Sequence, residues 1–132
     1  MIKVFTYGTL KKGYGNHFRL LRDSRFVGNA VTRGRYTMLD AGFPVLLSNP
    51  AGFPVMGEVY EVDRETTMRL DRLESVGRMY DRLRKYVQMD SGEVWRVHYY
   101  VGCPGSWQPQ RHPQYQPTKI NGKQVYNWRP IP

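Results

Sequence analysis

The feature of this sequence that most constrains its fold is the imbalance between strand patterns and helix patterns. Short segments with alternating apolar residues or β-branched residues follow one another, whereas a well-capped amphipathic helix pattern covers residues 64–75. Parallel neighbouring strands need crossover connections, usually helices, and few are available here. The sequence therefore predicts a mixed α/β (α+β) domain, with a small, mainly antiparallel β-barrel and short flanking helices.

The predicted strands share a high content of Val, Thr and Tyr, and they cover residues 2–7, 26–39, 55–62, 80–89 and 94–101. Residues 26–39 are expected to form one long or bulged strand that bends at Gly28 and Gly34. The last two strands are separated by Asp90-Ser91-Gly92, which is typical of a hairpin turn.

Capping residues indicate where the helices begin and end. Asp63 is a candidate N-cap for the helix over residues 64–75, and Gly77 is the expected C-terminal stop. Asn16 is a candidate N-cap for a shorter helix that includes His17 and Leu20. Both predicted helices are short, which agrees with a fold built mainly of strands.

Composition restricts the class of protein. The chain has 132 residues, of which 40% are hydrophobic and 23% charged, which is typical of one globular domain and not of a coiled coil or a disordered chain. A single cysteine, Cys103, excludes an internal disulfide framework. The N-terminal residues show no signal-peptide pattern, and no stretch reaches the ~18 apolar residues of a membrane span, so we expect a cytoplasmic protein that does not enter a membrane.

The net charge of +9 suggests a polyanionic partner such as nucleic acid. However, the basic residues are spread along the chain without a run of five or six like charges. Three interpretations stay open, namely a solvated basic surface, a polyanion-binding site, and weak attraction of small anions. The dispersed charge favours the first, and a nucleic-acid partner is not expected.

Residues 102–132 differ in composition from residues 1–101. Six of the nine prolines lie within residues 102–132, together with Trp107 and Trp128. The prolines argue against regular structure, and the tryptophans argue against a free tail. We expect residues 102–132 to form an extended arm that packs on the same domain as residues 1–101, with the two tryptophans docked on the barrel near the mouth of a site.

A glycine-rich loop follows the first predicted strand. It contains Gly8, Gly13 and Gly15 but lacks the Lys-Ser/Thr pair of a phosphate-binding P-loop, and it does not match a dinucleotide-binding pattern. Such a loop can expose backbone N–H groups that bind a carboxylate. The alternative is a tight turn that needs glycine for steric reasons.

Glu74 is the strongest candidate for chemistry. Helical spacing places it on the side of Leu70, which we expect to face the core together with Leu73. Desolvation and the C-terminal end of a helix both raise the pKa of a carboxyl, which suits a general base. The alternative is a surface ion pair between Glu74 and Arg78 or Arg72.

Other residue types give weaker signals. His17, His98 and His112 lack the spacing of metal ligands, so no metal site is expected. Cys103 has no histidine partner nearby in sequence and is interpreted as an inert thiol. The motifs of serine hydrolases, zinc proteases and EF-hands are absent from the sequence.

Three segments together resemble the γ-glutamylcyclotransferase-like (AIG2-like) family, and within it the γ-glutamylamine cyclotransferases. They are Tyr7-Gly8-Thr9-Leu10, residues 55–60 (VMGEVY), and residues 70–74 (LDRLE) followed by residues 79–82 (MYDR). In order and spacing, the resemblance covers about residues 2–101.

The resemblance implies a small mixed β-barrel and an enzyme that converts a γ-glutamyl amide to 5-oxoproline and a free amine, without a cofactor. It implies that Glu74 is the general base and that the loop Tyr7, Gly8, Thr9 and Leu10 holds the glutamyl group of the small-molecule substrate.

Two further residues belong to this interpretation. Tyr80 is expected either to line the substrate pocket or to be a core tyrosine. Ser75 stands where members of the family often carry glycine, and residues 102–132 have no clear counterpart. A ligand-binding module without turnover and a basic nucleic-acid-binding protein remain as alternatives, and the leaving amine and the oligomeric state stay open.

Overall fold

The computed structural model describes residues 1–8, 10–11 and 13–129. The elements in chain order are β1 (Ile2–Thr6), α1 (Gly15–Leu20), β2 (Arg25–Thr32), β3 (Tyr36–Asp40), β4 (Pro44–Ser48), β5 (Met56–Val62), α2 (Arg64–Leu73), β6 (Tyr80–Met89), β7 (Val94–Gly102), β8 (Thr118–Ile120) and β9 (Lys123–Val125). Within this part of the chain, no helix is long and apolar enough to cross a membrane.

Five strands close into a barrel in the order β1-β5-β2-β6-β7. Four of the five neighbouring pairs are antiparallel, and the barrel closes through a parallel contact between β1 and β7 at Val4 and His98. The predicted fold class, a mixed α+β domain with a mainly antiparallel barrel and short helices, is confirmed. The turn at residues 90–92 is also as predicted, with Gly92 N–H donating to the Met89 carbonyl.

The single strand predicted over residues 26–39 is wrong. A bulge between Phe26 and Gly28 bends β2 as expected, but the strand ends at Thr32. The Thr32 hydroxyl donates to the Gly34 carbonyl at 2.8 Å and turns the chain there. The following strand β3 leaves the barrel and pairs with β4 in a separate two-stranded sheet.

The N-terminal cap of α2 is as predicted, whereas the end of α2 and the start of α1 differ from their predictions. Asp63 caps α2, since its carboxylate accepts from the Thr66 N–H at 2.7 Å. The helix ends earlier than predicted, because Glu74 is its C-cap and Ser75 has a left-handed φ of 49°. The N-cap of α1 is Tyr14 without a side-chain cap bond, so Asn16 is not the cap.

Opposite faces of the barrel strands form two apolar clusters. Phe5, Val59 and Tyr99 belong to the first cluster, which also packs against β3 and β4. The residues next to them in sequence, such as Val4 and Tyr100, belong to the second cluster, which includes Leu70 of α2. This alternation follows from the two-residue period of a strand. It fixes α2 against the barrel through Leu70, whereas Leu73, expected in the core, is exposed.

Residues 102–129 contain more regular structure than predicted. β8 and β9 form a hairpin around Asn121 and Gly122, whose φ values are 51° and 79°. Asn-Gly with both residues at positive φ is a common hairpin turn, so the sequence carried this signal. Trp107 and Trp128 are buried, one in each apolar cluster.

Candidate active site

A cavity of about 380 Å³ lies where the end of β1, the end of α2 and the start of β4 and β6 approach one another. Its volume is within the usual range of small-molecule sites. The residues that line it are Phe5, Thr6, Tyr7, Gly8, Leu10, Asn16, Gly42, Phe43, Pro44, Leu73, Glu74, Ser75, Met79, Tyr80, Tyr100 and Trp107. The structure therefore brings together Glu74, Tyr7, Gly8, Leu10 and Tyr80, whereas Thr9 lies outside the described residues.

Glu74 lines this cavity from the end of α2. Burial raises the pKa of its carboxyl to about 7. Within the described part of the chain, its side chain makes no hydrogen bond and no ion pair, so the surface pairing with Arg72 or Arg78 does not form. A carboxyl with a pKa near neutrality can both accept and return a proton at physiological pH.

Three buried tyrosines, Tyr7, Tyr80 and Tyr100, line the same cavity as Glu74. The Tyr7 hydroxyl donates to the Tyr100 carbonyl at 2.6 Å, and the Tyr80 hydroxyl makes a longer bond, 3.4 Å, to the Pro44 carbonyl. Burial first, and then the charge of Glu74, raise the pKa of Tyr80 well above its usual value. For Tyr7, burial and the neighbouring Tyr80 raise the pKa, with a smaller effect of Glu74. These phenols therefore stay neutral and can act as hydrogen-bond donors.

Asp71, one helical turn before Glu74, holds the end of α2 against the barrel. Its Oδ1 accepts from Arg82 Nε at 2.9 Å and from the Tyr100 hydroxyl at 2.7 Å. Arg82 Nη1 in turn lies 2.9 Å from His98 Nδ1, and burial together with Arg82 lowers the pKa of His98. Sequence reasoning missed Tyr100 and the role of Asp71.

The loop after β1 has a steric reason for its first glycine. A Cβ atom on Gly8 would lie 2.8 Å from Pro44 Cγ, so a side chain at this position would force the start of β4 to shift. The Gly8 carbonyl accepts from the Lys11 N–H at 3.0 Å and closes a turn. The steric interpretation of Gly8 is therefore correct, and it is compatible with a loop that borders the cavity.

The loop and the C-terminal arm are joined by Lys11. This side chain is 4% exposed, and its Nζ donates to the Trp128 carbonyl at 2.8 Å. Burial lowers the pKa of the Lys11 ammonium to about 8. Because the contact spans 117 positions of sequence, local patterns could not predict it.

The two tryptophans of the arm have different positions. Trp107 lines the cavity, and its Nε1–H donates to the Met79 carbonyl at 2.7 Å. Trp128 packs against Tyr14 and donates to the Tyr115 hydroxyl at 2.6 Å, away from the lining residues. The predicted position near the site is therefore correct for Trp107 and wrong for Trp128, which packs against the loop after β1.

The other residues considered from the sequence, two histidines and the cysteine, make contacts that suit structural roles. His17 Nδ1 lies 3.0 Å from the Leu10 carbonyl, and the His112 ring packs on Trp107. Desolvation and the neighbouring Asp81 raise the pKa of the Cys103 thiol, which makes it a poor nucleophile. Within residues 1–8, 10–11 and 13–129, no cluster of three or more His, Cys, Asp or Glu side chains is placed to hold a metal ion.

Comparisons with known proteins identify the family to which this chain belongs. The sequence model of a family described as "Gamma-glutamyl cyclotransferase, AIG2-like" matches residues 4–128. A Methanocaldococcus jannaschii protein with the provisional name gamma-glutamylcyclotransferase is 38% identical over 103 residues, which cover 76% of this chain and 86% of that protein.

Two further relatives are informative. A Bos taurus gamma-glutamylaminecyclotransferase is 44% identical over 97 residues, and these cover 66% of this chain but only 56% of the cattle protein. The crystal structure of a Mus musculus AIG2-like protein superposes with a TM-score of 0.76 at 29% identity, covering 87% of this chain and 86% of that one.

Proposed function

Since this chain belongs to the gamma-glutamyl cyclotransferase, AIG2-like family, we propose that it converts a γ-glutamylamine to 5-oxoproline and a free amine. The observation that carries the proposal is the Glu74 carboxyl, which lines the cavity with a pKa raised to about 7 by burial. The name of the cattle relative supports an amine, rather than an amino acid, as the leaving group.

The reaction is an intramolecular exchange of one amide bond for another. The α-nitrogen of the substrate attacks the γ-carbonyl carbon and forms the five-membered ring, and the bond from that carbon to the leaving nitrogen breaks. Two protons pass from the α-ammonium to the leaving nitrogen, and no water is consumed. Because nucleophile and carbonyl belong to one molecule, correct positioning alone gives an effective molarity on the order of 10⁵–10⁸ M.

Glu74 is the general base and then the general acid in this proposal. Its carboxylate removes a proton from the α-ammonium, which frees the nitrogen lone pair for attack. The same carboxyl returns this proton to the leaving nitrogen, then takes the second proton from the ring nitrogen as the tetrahedral intermediate collapses and passes it to the departing amine. A pKa of about 7 suits both tasks, since the group is present in both protonation states at neutral pH.

The surrounding residues bind and orient the glutamyl group. We assign this role to the loop Tyr7, Gly8, Thr9 and Leu10, whose backbone N–H groups can bind a carboxylate or the developing oxyanion. Tyr80, a neutral phenol beside Glu74, is assigned as a substrate-contacting donor. The lining positions of Tyr7, Gly8, Leu10 and Tyr80 support these roles.

Residues 1–101 and the arm over residues 102–132 work as one domain in this proposal. Two contacts support it, namely the Lys11 bond to the Trp128 carbonyl and the position of Trp107 in the cavity wall. The arm therefore contributes to the site as well as to the core.

The test is a panel of γ-glutamyl compounds scored for 5-oxoproline by chromatography, including γ-glutamylamines, γ-glutamyl dipeptides and glutathione. We expect the purified protein to release 5-oxoproline and one equivalent of amine from at least one member of the panel. If no compound is turned over but one binds in calorimetry, the chain is a ligand-binding module and the proposal is wrong.

A further inference from the structure

A second cavity, of about 340 Å³, lies beside β6 and β7. Tyr80 and Tyr100 of these strands line the cavity that contains Glu74, whereas the residues next to them in sequence, Asp81 and Val101, line the second one. Successive side chains of a strand point to opposite faces, so one pair of strands borders both cavities. The volume of the second cavity is within the usual range of small-molecule sites.

Trp107 separates the two cavities. Among the described residues, it is the one that lines both of them. A Cβ atom on Gly102 would lie 2.9 Å from Trp107 Cδ1, so the indole packs directly against the end of β7. The indole Nε1–H is also held by the Met79 carbonyl at 2.7 Å. The wall between the cavities is therefore fixed, and the second cavity is a site of its own rather than an extension of the first.

The second cavity combines apolar walls with a single charge. We call it the Asp81 cavity and define it by Leu47, Asp81, Leu83, Val101, Pro104 and Trp107. Asp81 is the one charged residue among all those that line it in the described part of the chain. Asp81 is paired with Val101 across β6 and β7, and Leu83 lies two positions along β6 on the same face. The carboxylate therefore lies beside apolar side chains.

Asp81 lacks a cation of its own. Its side chain is half-buried, and within the described residues no Lys, Arg or His forms an ion pair with it. Arg82 follows it in sequence but is bonded to Asp71. Desolvation and the neighbouring Asp81 raise the pKa of the Cys103 thiol, so this neighbour stays uncharged. A half-buried carboxylate without a cation loses hydration without compensation, so a cationic ligand is favoured at this position.

We propose that the Asp81 cavity is a binding site for a small organic cation, a primary alkylammonium. The ammonium group donates to the Asp81 carboxylate, and the alkyl chain packs on Leu83, Val101 and Trp107. An ammonium has three N–H donors and no acceptor, which matches a lone carboxylate, and the apolar walls remove the chain from water. The site is separate from the function proposed above and does not depend on turnover at Glu74.

The test is a titration of the full chain with pentylammonium chloride, followed by the backbone amide signals in ¹H–¹⁵N NMR spectra. We expect saturable shifts at Leu83, Val101 and Gly105, which line the Asp81 cavity, with a dissociation constant on the order of 1 mM for so small a ligand. Pentanol has the same chain without the charge, and we expect it to bind about tenfold more weakly. Sodium chloride at the same concentration is the control for ionic strength.

Charge-removing variants locate the bound cation. Asp81→Asn keeps the size of the side chain and should raise the dissociation constant about tenfold, which is the effect of losing a hydrogen bond to a charged group. Asp90→Asn removes the same charge from the turn between β6 and β7, outside both cavities, and should change the constant less than twofold. Glu74→Gln removes the acid of the first cavity and should also change it less than twofold.

A variant that adds a charge is the second check. Ser48 is exposed at the end of β4 and lines the Asp81 cavity, so Ser48→Lys is expected to fold. Its ammonium group supplies a cation from within the chain and should weaken pentylammonium binding about tenfold through like-charge repulsion and competition for Asp81. This variant keeps Asp81, so it tests the site even if Asp81→Asn does not fold. Unchanged affinity in Ser48→Lys would contradict the proposal.

The other outcomes are equally decisive. The proposal is overturned if no amide signal shifts saturably, or if pentanol binds as tightly as pentylammonium. Shifts at Gly8 and Leu10 that are lost in Glu74→Gln place the ammonium in the first cavity and overturn it as well. Equal effects of Asp81→Asn and Asp90→Asn show a general attraction of cations, which has the same consequence. None of these results measures the release of 5-oxoproline, so the function proposed for Glu74 holds or fails independently.

Discussion

The two ends of α2 hold carboxylates in opposite states. At the N-terminal end, Asp63 accepts the Thr66 N–H, and this hydrogen bond lowers the pKa of the Asp63 carboxyl. At the C-terminal end, the Glu74 carboxyl has no hydrogen-bond or ion-pair partner within the described residues, and burial raises its pKa to about 7. One helix therefore carries a carboxylate that stabilises it and another that the fold keeps from ionising easily.

This difference shows how a fold separates structural acids from reactive ones. An anion at the N-terminal end of a helix accepts hydrogen bonds from free backbone N–H groups and interacts favourably with the helix dipole. An anion at the C-terminal end gains neither of these two interactions. Leu70 and Asp71 anchor the last turn of α2, through the apolar core and through Arg82 and Tyr100. Glu74 is therefore held in place by its neighbours and by the hydrogen bond from its backbone N–H to the Leu70 carbonyl, which leaves its carboxyl available for proton transfer.

The largest expected effect is on turnover when Glu74 loses its proton acceptor. Glu74→Gln keeps the shape of the side chain, so the fold should survive, while 5-oxoproline formation should fall by about 10² to 10⁴, the usual contribution of general acid–base catalysis. The measurement is kcat/KM on the best amide of the panel, with the circular dichroism spectrum as the check on folding.

The matched control lies on the same helix. Glu65 is exposed and forms an i,i+4 ion pair with Arg69, away from the cavity. Glu65→Gln should leave kcat/KM within twofold of the wild type. If Glu74→Gln retains wild-type turnover, Glu74 is not the base.

The second effect is a pH dependence of stability that comes from Glu74. Its carboxyl titrates near 4.5 when unfolded and near 7 when folded, so the folded state binds more protons between these values. The free energy of unfolding therefore falls as the pH rises from about 4.5 to 7 and levels off above that. Relative to Glu74→Gln, the wild type should lose on the order of 2 kcal/mol between pH 5 and pH 8.

Urea unfolding of the two proteins at both pH values measures this loss. The amide of the variant does not titrate, so it provides the baseline. A difference between the two proteins that is the same at pH 5 and pH 8 would mean that Glu74 ionises as freely as an exposed glutamate.

The smallest expected effect is a loss of thermal stability when the N-cap of α2 is removed. Asp63→Ala removes the N-cap, so the midpoint of thermal unfolding should fall by a few degrees. We expect kcat/KM to change less than twofold, because Asp63 lies outside the cavity lining. If a folded Asp63→Ala protein loses as much turnover as Glu74→Gln, the account is contradicted, because the carboxylates at the two ends of α2 would then not divide into a structural and a reactive one.

Sequence patterns predicted the elements whose signals are local. β6 has the bounds that the pattern indicated, and the Asp63 cap was predicted from the residue type alone. The break after Thr32 was missed because the strand pattern continues through it, and only the pairing of β3 with β4 removes β3 from the barrel. The signal of the Asn121-Gly122 hairpin was present but was outweighed by the prolines around it.

The site was predictable only in part, because several of its contacts join residues that are far apart in sequence. The resemblance and the helical spacing both pointed to Glu74, and the structure places it in the cavity. The Tyr100 bond to Asp71 spans 29 positions and the Lys11 bond to Trp128 spans 117, so no local pattern encodes them. Ser75, where glycine is common in the family, has a φ of 49°, which glycine adopts without strain.

The most direct test of this account is the pKa of the Glu74 carboxyl, measured by NMR from the pH dependence of its ¹³Cδ shift, with Glu74→Gln used to assign the signal. The account predicts a midpoint near 7 for Glu74, and a midpoint below the usual value of 3.8 for Asp63 in the same titration. A Glu74 midpoint near 4.5 would contradict it, because the two ends of α2 would then hold carboxylates that differ little in basicity.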